Sequence, residues 1–438
     1  MRVQLSILFA VACLRLTACG SDSPPAPSNA AGAPTQALGG AAGTSAAGAG
    51  AAGSAGAPFL GAGTSGEGGS VGGGGANGGE AGADNGEAGS SGQIQREFAY
   101  FSGLFKGVTI CELDLTSGPT GGTPHVLPSS PIGSKQAIAL AVDPAQRLLY
   151  LATQGGHLDS YRIAADGSLP ATPTSSIQTP NGVPAIEPKG RFLYGVGTGI
   201  QSYKIDAASG ALSAIGEAIA VGSSSPEYVA ADPTGNFVYV SQSGEQGLRG
   251  YRIDQTSGAL DELTGSPFGA AGLPVGDSLL GGAIVFKPSG DFLYTTGAGP
   301  NAGALNAFAI EAGTGKLSLV TGSPFSLDLG SDLNASNIAM DPQGQYLYVT
   351  SAFLTRHVSG FAIAADGTLK PVPGPVLTTA SPYSVGVDPS GRFVYIGDDS
   401  GNNAVYALTR ANGKLVEIMS SPFLFGGLQP EVAFAVVP

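Results

Sequence analysis

The residues Asp388-Pro389-Ser390-Gly391-Arg392-Phe393-Val394-Tyr395-Ile396 decide the fold of this chain, because they join a tight turn to an apolar strand. Pro389 presets φ for the second turn position, Asp388 can accept hydrogen bonds from nearby backbone N–H groups, and Gly391 tolerates a conformation that side chains resist. The β-branched and aromatic residues that follow favour a strand. Equivalent turns begin at five other positions: Asp143, Glu187, Asp232, Lys287 and Asp341. The sequence therefore predicts repeated copies of one β-hairpin.

The tyrosine of this hairpin recurs along the chain. Neighbouring copies, including one near the N-terminus, are 44 to 55 residues apart: Tyr100, Tyr150, Tyr194, Tyr239, Tyr294, Tyr348 and Tyr395. A period of about 40 to 50 residues is typical of one four-stranded propeller blade. A further strand and a second hairpin turn, such as Ser257-Gly258, follow the six copies from Tyr150 onward. The predicted fold class is all-β, a seven-bladed β-propeller of four-stranded blades.

Fragments at the two ends of the repeat region supply the seventh blade. Complete units occupy about residues 135 to 425. Pro430 to Val436 matches the first strand of a unit, and Phe98 to Phe101 matches the second. We expect the C-terminal strand to pair with the N-terminal blade and close the ring, because closure removes exposed sheet edges.

The N-terminal part has a different composition from the repeats. Residues 1–19 combine a basic start, an apolar stretch and Leu16-Thr17-Ala18-Cys19, which resembles a bacterial lipobox with Cys19 as the lipidation site. The alternative is a plain secretory signal in which Cys19 is incidental. Residues 20–95 are mostly Gly, Ala, Ser and Pro, which predicts a disordered tether of roughly 45 to 50 Å. The propeller then occupies residues 96–438. The residue after Cys19 is Gly20 and not Asp, which resembles lipoproteins that are sorted to the outer membrane.

The charge of the chain limits its partners. A net charge of −13 argues against nucleic acid, whose phosphates require a basic surface. Membrane attachment would depend on Cys19 alone, and no sequence motif indicates a cofactor. Cys111 is the one cysteine of the repeat region, so it has no partner there for a disulfide and is interpreted as a packing residue. We expect a monomeric ring with a small molecule, a glycan or an envelope protein as its partner.

The repeat also predicts which end of the propeller carries the site. Consecutive antiparallel strands emerge at opposite ends of a blade, so both sets of stereotyped hairpin turns share one face, called here the turn face. The opposite face, called here the variable face, carries connections that differ in length and chemistry. Variable loops on a rigid scaffold are where binding usually resides.

The repeated Asp-Pro-x-Gly-x-Phe-x-Tyr unit resembles the lactonase-type seven-bladed propellers, a family that includes a 6-phosphogluconolactonase and a muconate cycloisomerase. Tyr348-Val349-Thr350-Ser351 is also similar to the related Tyr-Val-Thr-Asn repeats. The resemblance covers about residues 98 to 438 and implies hydrolysis of an acidic lactone. Lactonase members often carry Gly-Pro-Arg-His before the first strand of a blade. Ser225-Pro226-Glu227-Tyr228 stands in that place here, without the Arg-His pair.

Candidate site residues lie in or near the variable-face connections. The catalytic candidates are Glu227 as a general base, Arg249 as a holder of an acidic substrate, and His157 as an activator of water. The binding candidates are Tyr228, Arg356 and His357. Solvated loop residues without a role are the alternative for each charged group. Asp398 to Asn403 could offer oxygen ligands to Ca²⁺, but the stretch lacks the EF-hand pattern and is interpreted as a polar turn, so no metal is assigned.

Three functional hypotheses follow from these residues. The first is an exported, lipid-anchored propeller that binds a ligand or partner at its variable face without catalysis. The second is a lactone hydrolase, and the third is a structural envelope protein. The long tether and the missing Arg-His pairs favour the first, whereas the resemblance alone supports the second.

Overall fold

The structure is a computed structural model, and it describes residues 96–103, 107–116, 121–133, 136–179, 184–221, 226–242, 247–269, 282–297, 304–327, 335–351, 357–374, 376–377, 382–398, 402–409, 412–425 and 432–437. All of these belong to one compact unit, Gly92–Pro438. Within these ranges no helix is long and apolar enough to cross a membrane. The predicted signal peptide, with Cys19, and the predicted tether lie outside the described residues.

The described strands form antiparallel sheets that each contain a path of four strands. Blade 1 consists of β1 (Arg96–Gly103), β2 (Gly107–Leu113), β3 (Pro124–Val126) and β31 (Val432–Val437). Blade 2 consists of β4 (Ala137–Val142), β5 (Leu148–Thr153), β6 (His157–Arg162) and β7 (Ser175–Gln178). Blade 3 consists of β8 (Pro184–Ile186), β9 (Phe192–Val196), β10 (Ile200–Ile205) and β11 (Leu212–Ile219). Blade 4 consists of β12 (Pro226–Ala231), β13 (Phe237–Gln242), β14 (Arg249–Ile253) and β15 (Leu260–Glu262).

The last three blades each add a short fifth strand. Blade 5 consists of β16 (Ile284–Phe286), β17 (Phe292–Gly297), β18 (Ala304–Ile310), β19 (Leu317–Leu319) and β20 (Phe325–Ser326). Blade 6 consists of β21 (Ala335–Met340), β22 (Tyr346–Ser351), β23 (His357–Ile363), β24 (Leu369–Pro371) and β25 (Val376–Leu377). Blade 7 consists of β26 (Pro382–Val387), β27 (Phe393–Asp398), β28 (Asn402–Thr409), β29 (Lys414–Glu417) and β30 (Phe423–Leu424). The prediction of an all-β propeller with four-stranded blades is confirmed.

The inner strands of the blades surround a central channel. Each contacts the next in the order β31, β4, β8, β12, β16, β21 and β26, and β26 contacts β31 again. The C-terminal strand β31 pairs antiparallel with β1, from Arg96 opposite Val437 to Phe101 opposite Val432. Residues from the two ends of the propeller chain thus share one sheet.

The second strand of a blade is its most buried part. All six residues of β13 and all six of β27 are buried. Neighbouring blades cover both faces of these strands, so their apolar runs need not alternate with polar residues. Where the turn before this strand begins with an acidic residue, its carboxylate fixes the turn: the Oδ1 atom of Asp388 accepts hydrogen bonds from the N–H groups of Arg392 at 2.8 Å and Phe393 at 2.7 Å.

A repeated hydrogen bond joins each blade to the next one. The hydroxyl of the repeat tyrosine donates to the carbonyl of a glycine in the outer hairpin turn of the following blade, at distances between 2.7 and 3.3 Å. The pairs are Tyr100 with Gly167, Tyr150 with Gly210, Tyr194 with Gly258, Tyr239 with Gly315, Tyr294 with Gly367, Tyr348 with Gly413, and Tyr395 with Gly122. The two sequence repeats, tyrosine and glycine, therefore meet across every blade interface.

Candidate functional site

The variable-face end of the blades has a polar interior. The second strands are apolar in their middle, but they end at this face in buried polar residues: Ser241, Gln242, Thr295, Thr296, Thr350, Ser351 and Asp398. The Nε2 group of Gln242 donates to the carbonyl of Val221 at 2.6 Å, and Thr296 Oγ1 accepts a hydrogen bond from the N–H of Gly282 at 3.1 Å. Hydrogen-bonding side chains therefore concentrate near the end of the channel where the sequence predicts a site.

A β-bulge interrupts four of the inner strands at equivalent positions near the variable face. The pairing with the second strand shifts between Ala137 and Ala139, between Pro226 and Tyr228, between Ala335 and Asn337, and between Pro382 and Ser384. Bulges of this kind redirect side chains and are common beside functional sites. In blade 4 the bulged residue is Glu227, one of the predicted catalytic residues.

A cavity of about 480 Å³ lies between the outer strands of blades 4 and 5, and several of its charged groups are bound by neighbouring residues. Arg252 donates to the carbonyl of Gly313 at 2.7 Å and lies over the Phe237 ring, and Thr314 donates to Glu311 at 2.8 Å. The hydrogen bond from Arg252 to Gly313 joins blades 4 and 5, so we give this charged group a structural role and do not place the site there.

The second cavity, of about 240 Å³, lies in the channel close to the variable face, and we call it the channel-mouth cavity. Its lining comes from the inner strands of blades 4, 5, 6, 7 and 1 and the residue that precedes β16: Tyr228, Val229, Ala283, Ile284, Asn337, Ile338, Val385 and Val432. Tyr228 is the predicted binding residue that the structure places in a cavity. Asn337 was missed by the sequence analysis, although it occupies the place in blade 6 that Tyr228 occupies in blade 4.

Glu227 lies beside this cavity. A methyl group on Gly282 would be 3.7 Å from Oε2 of Glu227 and 2.6 Å from Oγ of Ser241, so Gly282 leaves space that these two groups occupy. The next residue, Ala283, lines the cavity. The Ser241 hydroxyl is buried and makes no hydrogen bond with other described residues. A carboxylate and a hydroxyl from blade 4 therefore approach the rim of the cavity.

Arg249 does not line the channel-mouth cavity. Its Nη1 atom donates to Oε1 of Glu262 at 2.8 Å and forms an ion pair with that carboxylate, while its Nε atom donates to Oε1 of Gln242 at 2.9 Å. The guanidinium is therefore bound between strands β13, β14 and β15. This contact gives Arg249 a structural role, because its charge is balanced by a neighbouring residue.

The two candidate histidines occupy equivalent positions in different blades. His157 lies opposite Thr153, and His357 begins the corresponding strand of blade 6. His157 Nδ1 is 3.5 Å from the Ser176 hydroxyl, which also donates to Asp159, whereas His357 Nδ1 is buried without a hydrogen-bond partner among the described residues. Both belong to third strands, two strands away from the channel, and neither lines the channel-mouth cavity.

The remaining candidates lie partly or wholly outside the described residues. Arg356 is outside them, as are residues 399–401 of the possible calcium-binding stretch. Asp398 itself is buried at the end of β27. Within the described part of the chain, no group of three or more His, Cys, Asp or Glu side chains could hold a metal ion.

Together, the blades and the channel-mouth cavity define a propeller with space for a small ligand at one end of its channel. The family model described as "Lactonase, 7-bladed beta-propeller" matches residues 189–275 and 283–423, which is more than half of the chain. The protein therefore belongs to the lactonase family of seven-bladed β-propellers.

Individual proteins that are similar to this chain share only a small part of its sequence. A 6-phosphogluconolactonase of Serratia proteamaculans (strain 568) is 27% identical over 298 residues, which cover 66% of this chain and 85% of the relative. The structure of a periplasmic gluconolactonase of Pseudomonas aeruginosa is 18% identical, covers 79% of this chain and 100% of its own, and superimposes with a TM-score of 0.64. A protein from Lactobacillus plantarum is 19% identical, covers 78% of this chain and 99% of its own, and has a TM-score of 0.63. At these identities the two solved structures show a shared fold.

Proposed function

We propose that this protein binds a small lactone in the channel-mouth cavity. The observation that carries the proposal is the position of this cavity: it lies at the variable-face end of the channel, and inner strands from five blades contribute to its lining. A site assembled from several rigid strands holds its groups in fixed positions, as ligand binding requires. The family of the chain and the names of its relatives support a lactone as the ligand.

The lining offers a suitable set of contacts for such a ligand. Asn337 Oδ1 accepts a hydrogen bond from the N–H of Ile338 at 2.7 Å, and the Nδ2 group of the same amide is a donor that suits a lactone carbonyl. The hydroxyl of Tyr228 can donate or accept a hydrogen bond. The apolar side chains around these two residues exclude water and strengthen polar contacts with the ligand.

Hydrolysis of the bound lactone is the second candidate function, and the position of Glu227 favours it. A carboxylate at the rim of the cavity can accept a proton from a water molecule as that water attacks the lactone carbonyl. The ring C–O bond then breaks, the departing oxygen takes up a proton, and the product is a hydroxy acid. Arg249 has no place in this scheme because Glu262 and Gln242 bind it.

The location of the protein forms a further part of the proposal. We propose a monomeric propeller that is exported, anchored through an acylated Cys19 and separated from the membrane by a tether over residues 20–95. The periplasmic location named for the Pseudomonas aeruginosa relative supports export. We also propose that pairing of β31 with β1 closes the propeller and that this closure stabilises it.

Binding and turnover can be tested on the same samples. Calorimetry with a panel of δ-lactones is expected to show saturable binding to the wild-type chain, and Tyr228→Ala and Asn337→Ala are each expected to weaken it tenfold or more. If the protein is a hydrolase, Glu227→Gln should keep lactone binding and lose turnover. Absence of binding across the panel would reject the proposed function, whereas binding without turnover would select the first candidate over the second.

A further inference from the structure

Resting on the proposed function, we infer that the channel-mouth cavity selects an uncharged lactone with an apolar substituent and discriminates against a phosphorylated sugar lactone. This inference differs from the substrate that the name of the Serratia relative implies. It depends on three properties of the cavity: the ring of side chains in its wall, the distribution of charge around it, and its volume.

The wall of the cavity contains a ring of branched aliphatic residues. One comes from each of five neighbouring blades, and all lie at the same level of their inner strands, opposite the residue that follows the repeat tyrosine. These pairs are Val229 with Val240, Ile284 with Thr295, Ile338 with Val349, Val385 with Ile396, and Val432 with Phe101. The hydroxyl groups of a polyhydroxylated ligand would find no hydrogen-bond partners on this apolar ring. Burial of alkyl groups against the ring is favourable.

Charge near the cavity disfavours an anion. Among the lining residues that the structure describes, none is charged. The carboxylate of Glu227 lies at the rim, and Arg249 is neutralised by its ion pair with Glu262. A phosphate group that entered would lose hydration without gaining a cation from the described lining residues.

The volume limits the substituent. A space of about 240 Å³ holds about eight water-sized groups if each takes about 30 Å³. A δ-lactone ring with its carbonyl oxygen occupies most of this space, which leaves room for a short alkyl chain. We therefore expect affinity to increase along a series of alkyl δ-lactones and to stop increasing once the chain exceeds the cavity.

The inference can be tested by measuring dissociation constants for δ-valerolactone, δ-hexalactone, δ-octalactone, D-glucono-δ-lactone and its 6-phosphate. Each added methylene is expected to tighten binding roughly threefold to fourfold until the cavity is full. The 6-phosphate is expected to bind at least tenfold more weakly than D-glucono-δ-lactone. Glu227→Gln should reduce this difference, because it removes a negative charge and preserves the shape of the side chain.

A matched pair of variants separates contact with the ligand from loss of packing. Ile338 and Leu140 occupy the same level of their inner strands and are equally buried at 7% exposure, but only Ile338 lines the cavity. Ile338→Ala should weaken the dependence on chain length, while Leu140→Ala should leave it unchanged. Tighter binding of the 6-phosphate than of δ-octalactone would overturn the inference and leave the proposed function intact. Failure of every lactone to bind would reject both.

Discussion

The hydroxyl of Tyr395 donates a hydrogen bond of 2.8 Å to the carbonyl of Gly122, across a sequence separation of 273 residues. Tyr395 lies in the second strand of blade 7, and Gly122 lies in the outer turn of blade 1. The same bond joins every other pair of adjacent blades, for example Tyr239 and Gly315 at 2.7 Å. The interface between the first and last blades is thus built from the same contact as the interfaces between consecutive blades.

We predict that Tyr395→Phe lowers the free energy of unfolding by about 1–3 kcal/mol, because it leaves the buried carbonyl of Gly122 without its donor. Tyr239→Phe removes the equivalent hydrogen bond between two consecutive blades, blades 4 and 5, and serves as the matched control. Denaturant unfolding of both variants should give similar losses. A negligible effect of Tyr395→Phe beside a normal loss for Tyr239→Phe would mean that the interface of the two ends adds little stability.

A second prediction concerns the carboxyl of Glu97, which lies at the same interface. Burial raises the pKa of Glu97 to about 7, and the nearby Asp388 carboxylate contributes through its charge and a hydrogen bond. Arg392 acts in the opposite direction. The ordinary pKa of such a group is about 4.5. Between these two pH values the folded protein holds a proton that the unfolded chain releases, so its stability falls as pH rises from about 4.5 to 7.

Glu97→Gln should remove this part of the pH dependence. The variant is expected to melt several degrees above the wild type at pH 7.5, and the difference should shrink as pH falls toward 5. Melting curves across this pH range measure the effect. Parallel curves for wild type and variant would show that Glu97 does not hold a proton in the folded protein at neutral pH.

A third prediction concerns Gln146, which occupies a turn position that other repeats give to glycine. Its φ is 57°, close to the 67° of Gly190 and Gly391. The side chain has a compensating contact, because Gln146 Oε1 accepts a hydrogen bond from the N–H of Val436 in the C-terminal strand β31. Gln146→Ala should be the least stable form, since it keeps the backbone strain and loses the bond.

Gln146→Gly separates the two effects, because glycine relieves the strain and also lacks the bond. We expect its free energy of unfolding to lie between those of wild type and Gln146→Ala, with differences of about 1 kcal/mol between neighbours. A glycine variant more stable than the wild type would show that the bond to Val436 contributes less than the strain costs.

The sequence predicts the blades well because turn residues and apolar strands repeat with a period that one blade explains. It predicts the channel-mouth site only in part. Tyr228 and Glu227 were identified from their place before an inner strand, but Asn337 and the aliphatic ring look like ordinary strand residues in the sequence. Arg249 resembled a free cation because its partners, Gln242 and Glu262, come from neighbouring strands whose register a single sequence does not specify.

A fourth prediction tests the proposed anchor. Cys19→Ser should transfer the protein from the membrane fraction to the soluble fraction, because acyl chains on this residue would provide the strong hydrophobic attachment. Labelling with a radioactive fatty acid should be lost in the same variant. Deletion of residues 20–94, which keeps Cys19, is the control and should preserve both labelling and the melting temperature of the propeller. Persistent labelling of Cys19→Ser would assign the acyl group to another residue.

The last prediction separates two residues that the sequence placed in the same group of candidates. Tyr228 lines the channel-mouth cavity, so Tyr228→Ala should lose lactone affinity and keep most of its stability. Arg249 joins Glu262 and Gln242 and is largely buried, so Arg249→Ala should lose about 1–3 kcal/mol of stability and keep its affinity for an uncharged lactone. Calorimetric binding and denaturant unfolding of the two variants measure both quantities. The reverse result, affinity lost with Arg249 and kept without Tyr228, would move the site away from the channel toward strands β13 to β15.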